Sequence, residues 1–420
     1  VLRVVRGASI AVLAGVMVAA SVTATSAAPK PKTERVSLSS TGKQLQKGVN
    51  LAAFSVDGRY AAFTSDDSAV VPGDTNGVED VFVRDLRRGT VVRVNLAPDG
   101  SQADAGYYAK VAISANGRYI AYTSDATNLE KWPEKPAHAQ DVYVYDRTTG
   151  RSERVSVGRG GASAQVSTDD GIAVSDDGRH VAFGASSQQM EGTPTSEVYA
   201  YVVDRRTGTA TRISDHMPAE WTLFNVGMSA DGSRLYYAQG HPRGGDRELW
   251  DVNLRTGVQR LVNADPGGGV TGWAGGMSFS ADGGLLAYIT NGQSAGSPVD
   301  SFLYDTRTGK SRMLTHEGKG GLGGPTLSAD GRRLAYIVES PAEPGGGTGD
   351  TVENVYVRDL ATGRTQLATP KHSGGPLTSG YVGPVDFGNK GRDLMFVSWQ
   401  PDFVPGDTNN GFDAFVRHLD

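Results

Sequence analysis

One short motif, repeated seven times, constrains this chain more than any other feature of its 420 residues. It reads FSVDGRYAAFTS at 54–65, ISANGRYIAYTS at 113–124, VSDDGRHVAFGA at 174–185 and MSADGSRLYYAQ at 228–239. It continues as FSADGGLLAYIT at 279–290, LSADGRRLAYIV at 327–338 and a divergent FGNKGRDLMFVS at 387–398. Each copy is an apolar run, a turn centred on Gly and a second apolar run. Asp-Gly or Asn-Gly between two such runs signals a hairpin, and a two-residue type I′ turn is expected because both central residues then take φ > 0. A second piece follows each copy: DVFVRDL, DVYVYDR, EVYAYVVDR, ELWDVNL, DSFLYDT, NVYVRDL and DAFVRHL. A third, a Thr-Gly or Arg-Gly turn with a short strand, follows the first six.

Period-2 patterning with Val, Tyr and Phe marks each piece as a strand, so every unit holds four. Tandem four-stranded units are propeller blades. The expected fold is all-β: a seven-bladed β-propeller of four-stranded blades. The seventh unit stops at Asp420, where its outer strand should begin, while Thr33 to Leu38 reads TERVSL, like the outer strands RSERVSV and TVVRVNL. Residues 33–38 are therefore expected to pair with the last blade and close the ring. Glycine, 56 residues, is about twice its average usage, as a turn-rich fold requires.

The remaining composition excludes several classes. There is no Cys, hence no disulfide scaffold, Cys nucleophile or Cys-ligated metal. A net charge of −5 without a large basic patch argues against nucleic-acid binding. Arg3 and Arg6, the apolar run Ala8 to Val22 and the small residues Ser26-Ala27-Ala28 read as a secretory signal over 1–28. Residues 29–420 then form a single propeller domain, secreted or extracytoplasmic, without a membrane span and expected as a monomer.

The S-x-D-G-R hairpin followed by D-V-Y-V-x-D-x-x-T-G resembles the TolB-like, WD-related bacterial propeller repeats, and the resemblance covers nearly all of residues 29–420. Many TolB-like propellers are six-bladed, whereas this chain has seven copies. The resemblance implies a fold; the family includes translocation partners, binding domains and the gating propellers of peptidases, so it implies no single activity.

In such a ring the Asp-Gly and Thr-Gly turns share one face, and the longer connections, about 66–79, 125–140, 339–353 and 399–412, lie on the other. Long loops are where binding residues concentrate. Residues near the start of the inner strands are expected to ring that mouth: Tyr107, Tyr108, Lys110, Asp169, Trp221, Asn225, Trp273, Tyr381 and Asp386, with Asn50 and Asp170 beside them. Aromatics with a few polar groups suit a small ligand, a glycan or a peptide end. GDTNGVED at 73–80 recurs as GDTNNGFD at 406–413. Asp74, Asn76 and Asp80, with Asp407, Asn409 and Asp413, offer oxygen donors of the kind Ca²⁺ takes. Asp80 and Asp413, however, occupy a position that is Asp or Glu in six units and Asn in the other, so a turn motif competes with the calcium reading.

No H-E-x-x-H motif occurs, and the seven His residues are scattered. The sequence thus points to a non-enzymatic binding or scaffold module for a protein or glycan partner, requiring no cofactor. The alternative is a glycan- or peptide-directed hydrolase or lyase with its site at the channel mouth. Several buried titratable groups in the channel would favour the enzyme, and an apolar channel would favour binding.

Overall fold

The computed structural model describes residues 32–419 except 51, 107–109, 131–138, 168–170, 195–196, 219, 265–269, 271, 291–298, 315–321 and 342–350. The expected signal segment, and with it Tyr107, Tyr108, Asp169 and Asp170, lies outside the described residues. Seven antiparallel four-stranded sheets follow one another along the chain. Blade 1, from channel to rim, comprises Ala52–Phe54, Tyr60–Ser65, Asp80–Asp85 and Thr90–Arg93. Blades 2 to 6 repeat this order.

Blade 7 takes its three inner strands, Val382–Gly388, Asp393–Ser398 and Asp413–His418, from the C-terminal end, and its rim strand, Thr33–Arg35, from the N-terminal end. Thr33 pairs with Arg417, Glu34 with Val416 and Arg35 with Phe415. The regular ladder is shorter than the expected 33–38. Val36 and Ser37 both donate to the Ala414 carbonyl, and Leu38 turns away to bridge Gln44.

The core is divided into seven slabs, one between each pair of neighbouring blades. Strands inside a blade are therefore buried on both faces: all six residues of Tyr60–Ser65 and of Asp80–Asp85 are inaccessible. Alternation survives only at the rim, where Thr90–Arg93 runs exposed, buried, exposed, buried. The slab between blades 7 and 1 contains Val36, Leu45 and Val49, so the closing segment belongs to the core.

The hairpins are not the expected two-residue type I′ turns. In blade 1 the Gly58 N–H donates to the Ser55 carbonyl, and Ser55 N–H to the Tyr60 carbonyl; Gly58 alone has positive φ, at 71°. Ser55 Oγ donates to Asp57 Oδ1 (2.6 Å) and accepts from Tyr60 N–H (2.9 Å), while Asp57 Oδ1 also accepts from Arg59 N–H. This Ser–Asp hook, which lets a single Gly make the turn, recurs with Ser175, Ser229, Ser280 and Ser328, and in blade 2 Ser114 makes it with Asn116. Blade 7 has Gly388 and Lys390 in place of Ser and Asp. Its turn instead puts Asn389, Lys390 and Gly391 all at positive φ.

The inner strands differ in two groups. Those of blades 1 to 3 are three residues long. Those of blades 4 to 7 have six or seven residues and each carries a register shift near the loop end. Such bulges re-aim side chains.

Candidate functional site

Two aromatic clusters lie at the long-loop end. In the first, the Arg247 guanidinium sits 3.6 Å from the Phe224 ring centroid and 5.2 Å from that of Trp273. Burial lowers the pKa of Arg247, and among the described residues it makes no ion pair. Bringing Phe224 and Trp273 to one cation depends on the bulge at Leu223/Asn225 and the close pairing of blades 4 and 5.

The second cluster is on blade 7. Tyr381, Trp399 and Phe412 are 43%, 46% and 39% exposed, the only aromatic side chains among the described residues this open to solvent. Tyr381 and Phe412 meet edge to face at 6.2 Å. Tyr381 lies over Gly383, two residues on along its strand, as Trp273 lies over Gly275. On blade 6, Glu339 and Glu353 face each other across adjacent strands. Burial, and then Glu339, raise the pKa of Glu353, which accepts the Val382 N–H.

Of the residues read from sequence, Trp273 and Tyr381 thus fall in these clusters. Trp221 and Asn225 flank the first along blade 4, Lys110 keeps to the start of the blade 2 inner strand, and Asn50 donates to Glu79. Asp386 is elsewhere, near the hairpin end of Val382–Gly388, on the channel wall. Sequence reasoning passed over Phe224, Arg247, Trp399 and Phe412. Phe412 could have been found: it replaces Glu79 of the otherwise matching GDTN segment. The expected loop 339–353 is also largely strand, since pairing in blade 6 continues to Pro341 with Thr351.

The two GDTN segments form guanidinium-centred clusters. Arg93 reaches Asp74 (2.9 Å) and Asp80 (3.2 Å), and Arg35 reaches Asp407 (2.8 Å) and Asp413 (3.2 Å), all with side chains under 10% exposed. Asn76 donates to Asp80 and Asn409 to Asp413. Burial outweighs these partners and raises the pKa of Asp80 and Asp413. A guanidinium thus lies between the two carboxylates of each segment. Among the described residues no group of three His, Cys, Asp or Glu side chains is placed to share a metal ion.

The channel holds a cavity of about 320 Å³, lined mainly by Ala, Val, Ile, Leu and Phe of the inner strands. Among the described residues that line it, Asp386 alone is ionisable. Deep burial raises its pKa to about 6, against the opposing effect of the Phe54 N–H that it accepts at 3.1 Å. Its side chain is partly buried and lines the cavity.

No protein-family model matches the chain, and no curated protein matches it in sequence. Solved structures do. The oligogalacturonate lyase of Vibrio parahaemolyticus aligns at 13% identity over 93% of this chain and 97% of its own, with a TM-score of 0.55. The β-propeller domain of the Trilobed protease from Pyrococcus furiosus, described as having an open velcro topology, aligns at 8% identity over 84% and 91%, with a TM-score of 0.52. TolB from Acinetobacter baumannii aligns at 17% identity over 74% of this chain, which spans 64% of TolB, with a TM-score of 0.42. The likeness is one of fold. Among the described residues no helix is long and apolar enough to cross a membrane.

Proposed function

We propose that this chain is an exported, non-enzymatic recognition propeller that binds a protein partner through the long-loop face of blade 7. The carrying observation is the exposed trio Tyr381, Trp399 and Phe412. Tyr and Trp are enriched at protein interfaces, where clustered aromatic anchors supply much of the binding energy. The channel supports the same reading, because among its described lining residues Asp386 is the one carboxylate and no second group for acid–base work stands beside it. Export rests on the signal pattern of residues 1–28. No metal is needed in this reading, since Arg35 and Arg93 each already pair with two GDTN carboxylates; a chelator should leave the melting temperature unchanged.

The test is retention of soluble cell-envelope and culture-supernatant proteins on the immobilised native propeller, compared with a Tyr381→Ala, Trp399→Ala, Phe412→Ala variant. A protein held by the first and lost from the second is the expected result. Identical retention by both would overturn the reading, and so would a partner cross-linked only to the short-turn face. Glu339 and Glu353 beside Tyr381 favour the enzymatic alternative in one respect, as paired carboxylates with one raised pKa. That alternative requires cleavage of a polysaccharide or peptide that is abolished by Glu353→Gln.

A further inference from the structure

At four blade junctions a side chain beside the channel bonds to the backbone of the next blade. From blade 4 to blade 5 the gap is bridged by Tyr236 Oη, which donates to the Met277 carbonyl (2.9 Å). From blade 5 to 6, Ser278 Oγ accepts the Leu327 N–H (3.0 Å). From blade 6 to 7, Thr326 Oγ1 donates to the Val385 carbonyl (3.0 Å). From blade 7 to 1, Asp386 accepts the Phe54 N–H. The positions aligned with Ser278, Thr326 and Asp386 in blades 1 to 3 are Ala53, Ala112 and Ala173.

Ser278 shows that a neutral hydroxyl can accept the same backbone N–H from the next blade. The charge of Asp386 is therefore surplus to that bond, and it is kept where burial penalises it. Among the described residues, no Lys, Arg or His pairs with it. The polar side chains Ser278, Thr326 and Asp386 occupy one continuous arc, blades 5 to 7, and an Ala arc faces them from blades 1 to 3. Ser278 keeps its hydroxyl proton for donation and Thr326 its lone pairs for acceptance. At the hairpin end the lining is small and apolar: Val56, Ala115, Ala230, Ala281 and Ala329.

A fixed carboxylate in an apolar slot with a polar wall and a hydrocarbon wall matches an amphipathic cation. We propose that the channel binds an alkylammonium group, its charge against Asp386 and its carbon chain along the Ala and Phe lining. Nothing in this depends on the blade 7 aromatic patch. Two sources carry the group: a free aliphatic amine, or the side chain of a lysine on another polypeptide entering past the hairpin tips.

The experiment is calorimetric titration of the full chain with n-butylammonium chloride and, separately, with Nα-acetyl-lysine N-methylamide and a Lys-containing octapeptide. n-Butanol serves as the neutral control, and Asp386→Asn, which preserves the acceptor for Phe54, as the variant. Unchanged circular dichroism and a melting temperature no lower than the parent's establish that the variant folds. Binding of an ammonium probe that weakens roughly 10- to 100-fold in Asp386→Asn, as loss of a charge-assisted bond predicts, with n-butanol not binding, supports the proposal. Butylammonium alone binding assigns a free amine; the lysine derivatives binding as well assigns a polypeptide side chain. Absence of binding by every ammonium probe, equal binding by native and variant, or equal binding of n-butanol would each overturn it.

Discussion

Replacing Arg35 by Met tests the ring closure, because Arg35 serves the rim strand of blade 7 in two ways. Its backbone pairs with Phe415, and its guanidinium lies between Asp407 and Asp413 on segments 372 or more residues away in sequence. Methionine preserves the strand and much of the side-chain volume, so the perturbation is to the charge. Two carboxylates, 5% and 0% exposed, would lose their cation. Removing one partner of a buried ion pair costs about 3–5 kcal/mol. A folded unit spanning Pro31–Leu419 has a large unfolding entropy, so this loss lowers the melting temperature by roughly 4–6 °C. The assay is thermal unfolding at pH 7.5 and pH 5, with limited proteolysis at each. Asp413 already has a raised pKa, and losing Arg35 raises it further; the deficit should be largest at pH 7.5 and shrink toward pH 5 as the carboxylates take up protons. Adding Asp407→Asn and Asp413→Asn to Arg35→Met should recover part of the loss. A variant that melts like the parent at pH 7.5, or whose deficit grows on acidification, would refute the reasoning.

Three further outcomes are expected. Asp386→Asn should stabilise the fold by up to about 3 kcal/mol above pH 7, since a carboxylate moved from 3.8 to about 6 carries roughly 1.4 kcal/mol per unit. Its folded pKa is the higher one, so the parent is least penalised below pH 4 and loses stability as pH rises through 6; urea titrations across that range should show the two chains converging in acid. His418, 2.8 Å from Asp393, has a pKa raised first by that bond. Its contribution is full below about 6.5 and is lost as pH rises through the folded value, so His418→Gln should flatten the pH dependence there. Gly117→Ala, at φ 69° and against the Tyr60 ring, should cost more than about 2 kcal/mol, whereas Gly150→Ala, at φ 70° with no neighbour within 4 Å, should cost about 1 kcal/mol by chemical denaturation.

The fold was readable because its repeat is local: every hairpin carries the same Ser, Gly and flanking apolar residues, or a recognisable departure from them. Closure was readable for the same reason, since TERVSL repeats an outer-strand pattern. The turn type was not, because Asp-Gly alone does not reveal that Ser55 and Asp57 rebuild the loop with their side chains. The site was only partly legible. Trp273 and Tyr381 announce themselves by type and position, but Arg247 meets Phe224 and Trp273 only through inner-strand bulges that no short pattern specifies. The GDTN segments look like oxygen donors in isolation; their cations, Arg93 and Arg35, come from strands outside the motif. Asp386 was picked out, but a loop-end position could not be told from a channel-wall position without knowing that its strand runs on to Gly388.

Pairing Thr33 with Arg417 also orders events in time. The rim strand of blade 7 is synthesised before the six other blades and its partner after them, so it waits through their assembly. Until then both ends of the sheet stack are open edges, of the kind that invite pairing with other chains. Joining segments so distant must follow a large loss of chain entropy, and folds dominated by such contacts form slowly. The seam between blades 7 and 1 is thus the place where this ring should close last and, under stress, open first.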